Sequence, residues 1–177
     1  MPEIGIKDIR RYLNQQTKEA LAEEIVSLVK TFPDVKDYYH TRLFPAEHAE
    51  VLSKYKKIIQ YEFFPPRGFG KLQLSTIRKA ISAYKKVSSG AEGTIELLLY
   101  FVGQGAKFID EYGDIKESFY DSMESAYQEA CQLVISTGGE EAWEDRFEEV
   151  VKRTNDTGYG FGDSIREMFH NSFRKKE

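Results

Sequence analysis

A chain of 177 residues with 41% apolar, 31% charged and 14% aromatic side chains carries enough apolar surface for a sizeable core, which excludes a disordered reading. Its length suits a single all-helical domain spanning residues 1–177. The net charge of −4 gives no global attraction to nucleic acid or to an anionic membrane, so either role would need a local patch.

At the start, MPEIGIKDIRRYLNQQ lacks the apolar centre of a signal peptide. In TKEALAEEIVSLVKTF, the residues Leu21, Ile25, Leu28, Val29 and Phe32 recur on one helical face, with Thr17 as N-cap and Pro33 ending that helix or opening the next. A short helix fits residues 35–43. AEHAEVLSKYKKIIQYEFF sets Val51, Leu52, Tyr55, Ile58, Ile59 and Phe63 on one side and must stop at Pro65 and Pro66, which donate no amide. Beyond the corner YEFFPPRGFGK, the residues Leu74, Ile77, Ile81 and Tyr84 share one face of LQLSTIRKAISAYKKV. SSGAEG is a turn. IELLLYFVGQGAKFIDEY then reads as the most buried helix, its Gly103 and Gly105 serving close packing or a local break. EYGDI, STGG and TNDTGYGFGD separate three further helices: ESFYDSMESAYQEACQLVI, EEAWEDRFEEVVKR and SIREMFHNSF.

No segment alternates with the period of a strand, and no apolar run is long enough to span a bilayer, so no membrane role is expected. About eight helices with short loops predict an all-α fold of packed helical hairpins in one compact domain; the alternative is a short helical-repeat solenoid, for which no fixed period is found. Cys131 is the one cysteine, within a helical run where a buried thiol is expected. These features together point to a cytoplasmic protein.

Charge is unevenly spread. Residues 51–86 hold nine Lys or Arg against one Glu, whereas residues 107–149 hold thirteen Asp or Glu against three basic residues. A rotation of ~100° per residue groups Ser75, Arg78, Lys79, Ser82, Lys85 and Lys86 opposite the apolar stripe of their helix. Arg67 and Lys71 in the corner extend that basic face. On the helix expected over residues 116–136, Glu117, Asp121, Glu124 and Gln128 likewise point away from the core. The candidate partner-binding residues are therefore Arg67, Phe69, Lys71, Arg78, Lys79, Ser82, Lys85 and Lys86. Their partner would be an acidic protein, or the acidic face of a second copy, with nucleic acid as the alternative.

Catalytic chemistry finds little support. The corner is not a phosphate loop: one residue separates Gly68 from Gly70, Leu72 follows Lys71, and no strand precedes. A looser anion site at the start of the next helix remains open, beside the plainer reading that Phe63, Phe64 and Phe69 pin the corner to the core. In TGYGFGDS, Asp163 or Ser164 would cap the last helix. Were the two glycine loops to meet, Phe69, Tyr159 and Phe161 would line one pocket with Arg67 at its rim. Asp114 is expected to cap the helix that follows it. Glu167-x-x-His170 and Asp37-x-x-His40 have di-iron spacing, but Glu167 and His170 fall opposite their helix's apolar set, and His48 between Glu47 and Glu50 suits a capping or exposed role. GxSxG is absent, and Cys131 has no cation within its helical turn. No catalytic residue, metal or cofactor is expected.

Three stretches, YEFFPPRGFGK…IRKAISAYKK, FIDEYGDIKESFYDSMESAY and NDTGYGFGD, together resemble a family of small bacterial proteins known only as a domain of unknown function. The resemblance runs over residues 6–173. It implies a helical bacterial protein of similar length that behaves as one unit, and it implies no activity or ligand.

Overall fold

The helical periods of the sequence are realised, in a computed structural model that describes residues 4–44, 47–155 and 157–174, as α-helices joined by short loops, with no strand among the described residues. The described residues hold α1 (Ile6–Leu13), α2 (Lys18–Thr31), α3 (Pro33–Leu43), α4 (His48–Phe63), α5 (Leu74–Val87), α6 (Ala91–Tyr112), α7 (Glu117–Thr137), α8 (Glu140–Thr154) and α9 (Phe161–Phe173). The helix beyond the expected eight is α1, two turns long, whose start is tied by the Gly5 amide donating to Asp8 at 3.2 Å. Thr17 caps α2 as expected, accepting the Ala20 amide at 3.1 Å. Pro33 opens α3 at its first position, where its missing amide costs nothing.

The core forms around α6. Its side chains from Thr94 to Ile109 are apolar around most of the circumference, and Ile95, Leu97, Leu99 and Val102 are completely buried. Helices α4, α5, α7 and α8 each pack against it, and α9 closes over α7 and α8. That convergence on one helix gives a compact array and not a solenoid, in which each pair would touch only its neighbours. Helix α3 bridges α2 to α4 and α5. By contrast, α1 and α2 bury no residue, and the stripe on α2 leaves Ile25, Leu28 and Phe32 exposed.

Helix α6 runs unbroken through both glycines. A Cβ on Gly105 would run into Met123 of α7, so this glycine serves close helix packing, whereas a Cβ on Gly103 meets nothing within 4 Å. Gly162, at the start of α9, backs onto the Thr154 carbonyl with no room for a Cβ. The one acid in the middle of α6, Glu96, is held between two helices: Lys56 of α4 donates to it at 2.6 Å and Arg146 of α8 at 3.3 Å. Burial alone would push the Glu96 carboxyl up, but the hydrogen bonds and charges of Arg146 and Lys56 outweigh it and hold the group below its ordinary value.

Two outcomes follow from this packing. Urea titration should show Gly103→Ala neutral or stabilising by up to about 1 kcal/mol, the helix-propensity gain, while Gly162→Ala destabilises by about 1–3 kcal/mol through overpacking. Because the folded Glu96 carboxyl is depressed, its contribution to stability is complete above the unfolded value of about 4.3 and is lost as pH falls through the folded value. Glu96→Gln should therefore lower stability at neutral pH, and its difference from the natural chain should shrink in acid; a difference independent of pH from 7 to 3 would contradict the assignment.

Candidate functional site

The corner between α4 and α5 is built from the inside out. Phe63 is buried against Phe101, Phe108 and Phe119, and Phe64 packs on Phe108 and Tyr112. The loop then folds back on the end of α4 so closely that a Cβ on Gly70 would strike the Glu62 and Phe63 carbonyl oxygens. Gly68 turns the chain at φ +74°, and Leu72 follows at φ +51°. Glu62 holds both sides of the return, its carbonyl accepting the Leu72 amide at 3.0 Å and its carboxylate accepting the Gln73 amide at 2.9 Å. A carboxylate thus already sits at the start of α5, the place left open for a looser anion site beside the plainer reading of a helix corner. Phe69 does not pin the corner: it is 83% exposed and touches only the edge of Tyr112. Arg67 and Lys71 are exposed and make no ion pair among the described residues.

The second glycine loop also reaches the α6–α7 turn, Gly158 standing against Asp114. Tyr159, at φ +58°, is exposed and rests on Tyr120. Phe161 opens α9 and is fully buried beside Tyr120. A side chain with no accessible surface cannot line an open pocket with Phe69, so the two loops contribute one exposed ring each and one core ring. Gly160 takes the N-cap position of α9 without a side-chain cap, and Asp163 pairs instead with Arg166 at 2.7 Å. Asp114 likewise does not cap α7; it accepts the Tyr120 hydroxyl at 2.8 Å, and burial, aided by this carboxylate, pushes that phenol up to about 12.

The basic face of α5 is divided between internal and free charges. Lys85 donates to Glu129 of α7 at 2.7 Å, and Arg78 to the Ser122 hydroxyl at 3.3 Å. These two residues, with Ser82, line a cleft of about 250 Å³ between α5 and α7. Lys85 and Arg78 are therefore engaged by α7 of the same chain. Lys79 and Lys86 remain exposed and without an ion pair among the described residues. Lys86 also lines an apolar groove of about 320 Å³, together with Ile25, Leu28, Asp34, Tyr38 and Val87. Sequence reasoning missed this groove because its walls come from three helices; the surplus of apolar residues on α2 was the available signal.

The candidate metal spacings separate in space. Glu167 and His170 both face water, as their helical phase dictates. Asp37 is taken by Lys54 and by the Tyr55 hydroxyl, the latter at 3.2 Å. His48 binds the Thr41 carbonyl at 2.6 Å through Nε2. It is His40 that joins Glu47 and Glu50, their ligand atoms lying within 4.8 Å of one another, with His40 Nε2 at 3.4 Å from Glu47. Both carboxylates are exposed, and exposed acidic groups commonly cluster in this way without an ion. Cys131 is buried, and burial pushes its thiol up to about 11, which keeps it protonated and unreactive at neutral pH. Among the described residues no helix is long and apolar enough to cross a membrane.

Against known proteins, the family model described as "Family of unknown function (DUF6155)" matches residues 4–168. No curated protein and no solved structure matches the chain.

Proposed function

The chain belongs to this family of unknown function, and we propose that it is a non-catalytic interaction module that docks an acidic, amphipathic protein segment on the face built by α2, α3 and α5. The observation that carries this reading is the apolar groove of that face with Lys86 on its edge. Of the sixteen exposed large apolar side chains among the described residues, eleven fall within residues 4–44. Three of them, Ile25, Leu28 and Tyr38, line the groove itself, and apolar side chains exposed together mark interaction sites more often than those scattered singly. Lys79, two helical turns before Lys86 on α5, extends the positive edge.

An amphipathic helix meets both demands of this surface. Its apolar residues, recurring every three to four positions, would fill the groove, and an acidic flank would pair with Lys86 and Lys79. Partial neutralisation of α5 by Glu129 confines the free positive charge to this side of the helix. The proposed setting is the bacterial cytoplasm, which suits a single buried thiol.

A fluorescent helical peptide with leucines at i, i+3 and i+7 and glutamates along one flank tests the reading by anisotropy. Binding is expected, with about a tenfold loss of affinity on Lys86→Glu and a comparable loss between about 50 and about 300 mM salt. The same peptide with serines for leucines should not bind. Undiminished binding by Lys86→Glu, or preference for a single-stranded oligonucleotide over the peptide, would overturn it.

A further inference from the structure

The cleft between α5 and α7 is smaller than the cavity of about 720 Å³ around Trp143, but it gathers charge, hydroxyls and apolar surface in one place. Helices α5 and α7 both pack on α6. Leu98 and Phe101 of α6 line the cleft with Ile81 of α5 and Ala126 of α7. These four side chains are buried, so they form its deeper, apolar part. Arg78, Ser82 and Lys85 of α5 face Ser122 and Glu129 of α7 across it, and all but Ser122 reach the surface.

The charges of the cleft do not cancel. Lys85 is paired with Glu129 at 2.7 Å. Arg78 makes no ion pair among the described residues; its Nε donates to the Ser122 hydroxyl at 3.3 Å. Ser122 is 7% exposed, and a hydroxyl so deeply placed costs free energy unless it is hydrogen-bonded. The bond therefore serves both groups: it satisfies Ser122 and fixes the guanidinium at the cleft. A guanidinium presents its donors as a planar fork, and with Nε engaged the terminal nitrogens are left for a ligand. The lining residues thus carry one net positive charge, that of Arg78.

A single uncompensated cation calls for a monoanion, because the second charge of a phosphate would find only the Lys85–Glu129 pair, already neutral. A planar carboxylate matches the guanidinium fork with two parallel hydrogen bonds. At ~30 Å³ per molecule, a cleft of about 250 Å³ has room for on the order of eight waters, which sets the size of the ligand. We infer that the cleft binds a small monocarboxylate with a short apolar tail. The carboxylate accepts from the terminal nitrogens of Arg78 and from the Ser82 hydroxyl, and the tail lies against Leu98 and Phe101. This site is separate from the groove beside Lys86, and it stands whether or not that groove takes a partner.

Titration of the isotope-labelled chain with hexanoate, followed by amide NMR shifts, should give saturable changes gathered on Ser82, Leu98, Ser122 and Ala126. Hexanol should bind about tenfold more weakly, as expected for a lost charged hydrogen bond, and butyl phosphate more weakly than hexanoate. Arg78→Gln should weaken hexanoate by about tenfold, while Lys71→Gln, which removes an exposed cation outside the cleft, should leave it unchanged. Ser82→Leu fills the cleft from an exposed helix position and should abolish binding, a second test if Arg78→Gln does not fold. Absence of saturation up to ~20 mM, equal affinity for hexanol, tighter binding of butyl phosphate, shifts gathered instead beside Lys86, or undiminished binding by the folded cleft variants would overturn the inference.

Discussion

Helix α6 presents apolar side chains around most of its circumference, and a helix of that kind has no stable place in water until other helices enclose it. The arrangement of α4, α5, α7 and α8 is the answer to that demand. Enclosure also dictates the treatment of Glu96, since a charge on the central helix must be paired where it stands, and partners from α4 and α8 reach it from two sides. The ion pairs consequently join helices that are distant in sequence, and the hydrophobic demand of one helix organises most of the chain.

The two ends of α6 are finished differently. Around its C-terminal end, Phe108 and Tyr112 gather the aromatic rings of the corner, and Glu62 fills the backbone vacancies of the return. Around its N-terminal end glycines take the cap positions of α6 and α8, and the turns there close on themselves, the Ser88 hydroxyl donating to the Gly90 carbonyl at 2.6 Å and the Gly139 amide to the Val134 carbonyl at 3.1 Å. Aromatic packing at one end and short glycine turns at the other are a physical asymmetry that the sequence shows only as glycine-rich stretches.

Most helices were legible because each carries an apolar stripe of several turns, and Thr17 and Pro33 marked their ends by simple backbone chemistry. Helix α1, two turns long and unburied, offers too little periodicity to be distinguished from an irregular segment. Helical rotation correctly turned Lys79, Lys85 and Lys86 outward, yet rotation cannot say what stands opposite; Lys85 finds Glu129, forty-four residues further along. Phe161 was assigned to a loop because glycines flank it, although its burial is what starts α9 there. The same limit hid the meeting of His40 with Glu47 and Glu50, and the cavity around Trp143, whose walls come from four separate stretches of chain.

Thr41 is almost completely buried, and its hydroxyl donates to the Val87 carbonyl at 2.6 Å, satisfying an acceptor at the end of α5. Val87 itself is in the core, whereas the two helices before α3 bury nothing. Burial of this kind is expected to layer the molecule in cooperativity, amides of α1 and α2 exchanging by local opening and those of α6 only on global unfolding. Thr41 marks the seam between the two layers. A partner seated against α2 would order the less stable layer as it bound, giving up part of its affinity to that ordering and gaining a surface able to adjust to the segment it receives.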